Sequence, residues 1–67
     1  MKKELFRFAL IRRLQEMDKS QTWLAKMLGV DKATISHYAT GDRWPRVDIF
    51  LRICEVLNID PKEVRFN

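Results

Sequence analysis

The sequence predicts an all-α domain of five helices, on three observations. Apolar residues recur at three- and four-residue intervals along most of the chain. Gly and Pro number only two each among 67 residues, and they fall between the periodic stretches, where they act as stops. A hydrophobic share of 46% supplies a core, which so short a chain needs because it buries only about 60% of its surface on folding. Residues 1–67 therefore read as a single domain, without repeats, linkers or low-complexity segments.

The first helix is expected from Glu4 to Met17, where Leu5, Phe6, Phe8, Ala9, Leu10, Ile11, Leu14 and Met17 form a broad apolar face interrupted by arginines. Asp18-Lys19-Ser20 ends it. Ser20 is a good N-cap because its hydroxyl can accept from an unpaired N–H of the following turn. The second helix then runs from about Gln21 to Leu28, with Leu24, Ala25 and Leu28 inward, and stops at Gly29, the residue that takes a left-handed conformation at least steric cost.

Val30 can return to the core, Asp31 is the next N-cap, and Lys32 to Ala39 form the third helix, with Ile35 and Tyr38 inward. After Thr40-Gly41-Asp42 the loop Arg43-Trp44-Pro45 follows, Pro45 biasing Trp44 toward extended backbone. The fourth helix, Arg46 to Leu57, is apolar nearly all round and is expected to be the central one. Asn58 is a candidate left-handed cap. Asp60 before Pro61 then starts a short fifth helix to about Val64, leaving Arg65-Phe66-Asn67 as the end.

Composition excludes several function classes. The one cysteine, Cys54, forms no internal disulfide, and no group of Cys, His or carboxylate residues has metal-ligand spacing, so neither a metal nor another cofactor is expected. His37 has no second ligand or nucleophile at a matching interval, which argues against an enzyme. No segment is long and apolar enough to span a membrane, and Met1-Lys2-Lys3 is followed by Glu4 and arginines, unlike a signal peptide. A cytoplasmic protein is expected. Thirteen Lys and Arg against nine Asp and Glu give a net charge of +4, which suits a polyanionic partner without identifying one.

The segment from Gln21 to Tyr38 decides the matter. Ala25 is small where two steeply crossed helices touch, Gly29 makes the tight turn, and Leu24, Leu28, Val30, Ile35 and Tyr38 bury the inner faces. The third helix is left with a free outer face of Lys32, Ala33, Ser36 and His37, with Thr40 just beyond, short and polar enough for a major groove about 12 Å wide.

Ser20-Gln21, Leu24-Ala25, Leu28-Gly29-Val30, Ile35-Ser36, Gly41, Pro45 and Ile53 to Ile59 together resemble the phage repressor and Cro type of helix-turn-helix, the XRE family. The resemblance implies five helices, the helix-turn-helix at residues 20–40, and a bacterial or phage regulator that binds double-stranded DNA as a homodimer. It places Lys32, Ala33, Ser36 and His37 at base edges. It places Ser20 and Gln21, at the start of the second helix, on a phosphate, and lays the loop from Thr40 to Arg46, with Arg43 and Arg46, along the backbone. Where the family often pairs an arginine late in the first helix with a glutamate ending the third, this chain has Leu14 and Ala39, a joint exchange of charge for apolar packing. Trp23 replaces a usually polar residue, Asn58 a common glycine and Cys54 a common alanine.

Ile59, Val64 and Phe66 are apolar residues beyond a core that looks already supplied, which makes them the candidates for a dimer interface. Trp44 can cover the core, stack on a deoxyribose or fill that interface. Cys54 reads as a small buried residue. The expected function is that of a Cro-like repressor of phage, prophage or mobile-element type, free of small-molecule control. The rival readings are an antitoxin, a restriction-modification controller, and an interaction adaptor that keeps the fold but binds a protein.

Overall fold

The computed structural model describes residues 3–66. Four α-helices make up most of it: α1, Phe6–Glu16; α2, Gln21–Leu28; α3, Lys32–Thr40; and α4, Val47–Leu57. The expected fifth helix is a single 3-10 turn at Pro61–Glu63. Asp60 caps it as anticipated, accepting from the N–H of Lys62 at 2.9 Å, but the chain then straightens instead of winding on. Val64–Arg65, as β2, pairs in parallel with Glu4–Leu5, as β1, in the register Glu4 to Val64 and Leu5 to Arg65. The same pairing moves the start of α1 from Glu4 to Phe6. Backbone groups satisfied in a ladder between the two ends are unavailable to either helix. Asn67, the last residue of the expected end, lies outside the described residues.

The turns follow local chemistry. Ser20 Oγ accepts from the N–H of Trp23 at 3.0 Å. Gly29, at φ 70°, reverses the chain after α2, and the N–H of Val30 closes on the carbonyl of Ala25 at 3.0 Å. Asn58 takes the left-handed conformation at φ 55°, and the N–H of Ile59 reaches back to the carbonyl of Cys54 at 2.8 Å. Asp31 stands at the N-cap of α3 with extended backbone, yet its carboxylate makes no cap hydrogen bond, so the expected side-chain cap is absent.

Leu10, Leu24, Ile35, Ile53 and Leu57 are the largest fully buried side chains, and all four helices contribute to this centre. Burying each such side chain stabilises the fold by roughly 1.5–3 kcal/mol. α4 is not the enclosed central helix that its composition implied. It buries Ile53, Cys54 and Leu57, while Val47 is 74% exposed and Leu51 49% exposed, one turn apart on its outer side. Burial pushes the Cys54 thiol pKa up, as befits a small core residue with no reactive thiolate.

The C-terminal apolar residues are used within the protomer. Ile59 and Val64 are buried, and Phe66 packs 5.3 Å from both Phe6 and Phe50, with Trp44 tilted over it at 5.6 Å. The surplus expected at the end of the chain is thus absorbed by an aromatic cluster joining α1, α4 and the loop before α4. Trp44 remains half exposed on its outer side.

Leu14 and Ala39 are both buried in the common core. Ala39→Glu is expected to destabilise the protein by about 3 kcal/mol or more, because it strands a carboxylate in apolar surroundings. Adding Leu14→Arg is expected to restore part of the loss, as read by urea denaturation; a double variant no more stable than the single one would separate the two residues.

Candidate nucleic-acid interface

α2 and α3 are joined by Gly29, Val30 and Asp31, and they meet through buried Leu24, Ala25 and Leu28 on one side and Ile35, Tyr38 and Ala39 on the other. Because these residues are consumed by the contact, the opposite side of α3 faces outward, exposed at Lys32 and Ala33 and half-buried at Ser36 and His37. α3 has nine residues, and a helix with its side chains is about 10–12 Å across, a width that a groove of about 12 Å admits.

Along that side the structure places the residues singled out by sequence as follows. Lys32 and Ala33 are exposed at the first turn, Ser36 and His37 are half-buried in the middle, and Thr40 is exposed at the end. Lys32 makes no hydrogen bond or ion pair with any described residue, so its ammonium is available. Ala33 offers only a methyl group.

Ser36 is engaged. Its hydroxyl donates to Oε1 of Gln21 at 3.2 Å, a bond between the first turn of α2 and the middle of α3. With its oxygen used in this way, the Gln21 amide keeps both N–H donors for another acceptor. The sequence marked Ser36 and Gln21 separately, and nothing in it signals that they touch, since the bond spans fifteen positions and depends on how the helices cross.

His37 is engaged as well. Its Nδ1 lies 3.3 Å from Oδ2 of Asp42, a residue that sequence reasoning had treated only as the end of a helix. A carboxylate only accepts, so the contact selects a ring protonated at Nδ1. In the neutral ring Nε2 is then left as an acceptor, and in the cation as a second donor. Thr40 turns its hydroxyl to the carbonyl of His37 at 3.2 Å, and the N–H of Arg43 reaches that carbonyl at 3.3 Å. The loop after α3 is folded back on the helix by these bonds.

Beyond Gly41 the loop carries exposed cations. The Arg43 guanidinium has no partner among the described residues, whereas Arg46 lies 3.5 Å from Asp48, a pair so open to solvent that it holds neither side chain firmly. At the other end of the motif, Ser20 is committed to its cap on Trp23. The N–H groups of Gln21 and Thr22 lie in the first turn of α2, where no intrahelical acceptor exists, so an anion can take them. Trp23 is half-buried, with the Lys19 ammonium 5.3 Å from its ring centre.

The arrangement can therefore offer a short helix bearing one free ammonium and a histidine ring, between a helix N-terminus and a cationic loop. No group of three or more metal-binding side chains occurs among the described residues. No helix among them is long and apolar enough to cross a membrane.

Residues 10–64 match the model of the helix-turn-helix family, which covers all four helices of the chain except the first turn of α1. Comparison with curated proteins and with solved structures gives no match.

Ser36→Ala is expected to lower stability by about 0.5–1.5 kcal/mol, the net worth of one intramolecular hydrogen bond. Thermal denaturation measures it, and an unchanged midpoint would show that the Gln21 bond contributes nothing to holding α2 against α3.

Proposed function

Since the chain belongs to the Cro/XRE-type helix-turn-helix family of DNA-binding transcriptional regulators, we propose that it acts as a repressor, binding a pseudo-palindromic operator as a homodimer. The observation that carries this reading is the free outer side of α3, with unpartnered Lys32 at its start and His37 in its middle, flanked by the free Arg43. Lys32 and His37 serve as base readers, Ala33 packs against a base or sugar, and Ser36 contributes chiefly through Gln21. Arg43 and Arg46 hold phosphates beyond α3, and the amide of Gln21 with the start of α2 holds another, Ser20 fixing that start.

The division of labour follows from position. Lys32 projects from the first turn, where it can donate to the O6 and N7 acceptors of guanine. The arginines sit in and beside the loop, past the end of the helix, where the strand backbone runs when α3 lies in the groove. Thr40 contributes at the edge of this strip, its hydroxyl already directed to its own helix. Two-fold symmetry fits the size of the motif, since one α3 spans only a half-site and a second copy about one helical turn away doubles the reading. For contact between copies, α4 retains exposed Val47 and Leu51, whereas Ile59 and Val64 are enclosed and leave little apolar surface to share.

Lys32→Ala is expected to cost about 1–3 kcal/mol on the preferred duplex and to relax preference at one base pair per half-site. Arg43→Ala and Arg46→Ala are expected to weaken all sequences alike and to reduce the salt slope by about one per half-site. Selection from a random duplex library, followed by titration of each variant at several salt concentrations, tests both. Base preference unchanged in both Lys32→Ala and His37→Ala would remove α3 from the reading role.

Sedimentation of the protein saturating a selected duplex is expected to show two protomers per site. One protomer per site would exclude the dimer.

A further inference from the structure

α1 carries three arginines, and the structure uses them differently. Arg12 is held by Glu4 at 2.8 Å and by Glu16 at 3.0 Å. Arg13 reaches Glu16 at 2.8 Å and donates to the carbonyl of Leu57 at 2.7 Å, closing the last turn of α4. Arg7 has no carboxylate or carbonyl partner among the described residues, although it is half-buried.

What holds Arg7 is packing. Its guanidinium carbon lies 4.9 Å from the centre of the Phe8 ring. Its stem crosses the C-cap of α3 at Gly41, where a Cβ atom would stand 3.0 Å from Arg7 Cδ and 3.5 Å from Nη1. Gly41 is required for its left-handed backbone at φ 86°, and the Arg7 side chain lies close against it. Arg7 shares a small recess with Phe6, Tyr38, Gly41, Trp44 and Phe66, so it borders the same loop that carries Arg43 and Arg46.

A guanidinium near the C-terminus of a helix also interacts favourably with the partial negative charge there. In this protein it makes no hydrogen bond to the last carbonyls of α3, and its donors remain unspent. Its stem is half-buried against Gly41 and Phe8, so fixing it on a ligand costs less conformational entropy than fixing a fully exposed arginine. A planar fork of donors in that condition matches a phosphate group.

We propose that Arg7 is a further DNA phosphate anchor, extending from α1 the cationic strip formed by Arg43 and Arg46. The inference rests on the reading of the loop after α3 as the segment that follows the DNA backbone. It gives α1 a part in binding, and it explains why this arginine alone of the three on α1 is left without a carboxylate.

The experiment compares Arg7→Met, which keeps the apolar stem against Gly41 and Phe8, with Arg7→Lys, which keeps the charge. Both are titrated against a duplex selected by the wild-type protein and against an unrelated duplex, across a range of salt concentrations. Arg7→Met is expected to lose affinity for both duplexes about equally, by about tenfold per half-site, and to lower the salt slope by about one per half-site. Arg7→Lys is expected to keep the slope. If Arg7→Met lowers only the melting temperature and leaves the slope unchanged while Arg43→Ala reduces it, Arg7 serves α3 alone and the proposal fails. If neither substitution changes the slope, the reading of the loop fails, and the proposal with it.

Discussion

The crossing of α2 over α3 is fixed by the turn of Gly29, Val30 and Asp31, and the remainder of the structure depends on the angle it sets. A Cβ at Gly29 would meet nothing within 4 Å, so the glycine is there for its backbone at φ 70° and not for space. Ala25, at 4% exposure, is the complementary requirement: a larger side chain there would force the two helices apart. With Leu24, Leu28 and Ile35 enclosed by the crossing, the polar side of α3 has no alternative but to face outward. The same geometry brings Ser36 to Gln21, so the helix that offers the donor surface and the helix that steadies it are bonded at one point.

Several devices hold the two ends of the described chain and the end of α4 in place. The parallel pairing of Glu4–Leu5 with Val64–Arg65 ties the two termini of the described chain together. Phe6, Phe50 and Phe66 gather beside that ladder with centroids 5.3 Å apart, and Trp44 covers them from the loop. Arg13 closes the last turn of α4. These devices lie away from the outward side of α3, where Lys32 and Ala33 are exposed. Acidic residues are placed consistently with this. Glu4 and Glu16 neutralise Arg12 and Arg13 on α1, and the Arg12 and Arg13 guanidinium groups hold their carboxyl pKa values below the usual range. Arg7, Lys32 and Arg43 have no such partner among the described residues.

Acids also occur on the cationic side: Asp48 lies beside Arg46, and Asp42 beside His37. Its contact makes the hydrogen-bonding character of the free His37 nitrogen dependent on the ring's protonation state. The contact holds the ring in one orientation on the outer side of α3.

Much of this was legible in the sequence because it is written locally. The Ser20 cap, the glycine turn at Gly29, the left-handed Asn58 and the Asp60-Pro61 start each depend on a few consecutive residues, and each occurs as read. The inward faces of α2 and α3 also occur as read, where apolar spacing equals the helical repeat, whereas α1 buries Phe6, Ala9, Leu10 and Leu14 and leaves Phe8, expected on the same face, 52% exposed. The apolar run from Val47 to Leu57 misled, because composition does not say how much of a helix its neighbours will cover. The short C-terminal stretch also misled: a helix start was present, but a β pairing sixty residues distant in sequence competed for its backbone. The family pattern marked Lys32, Ala33, Ser36 and His37 as positions on one side of one helix. Only the folded chain decided what each of them touches, since the bonds of Ser36 to Gln21 and His37 to Asp42, and the passage of Arg7 over Gly41, arise where separate elements converge. Sequence by itself determined the four α-helices and the turns that stop α2 and α4, because those choices are made within a few residues, but not the two ends of the described chain, which compete for each other's backbone. Tertiary structure decided which donors are spent and which are left for a ligand, because that depends on neighbours the chain acquires only by folding.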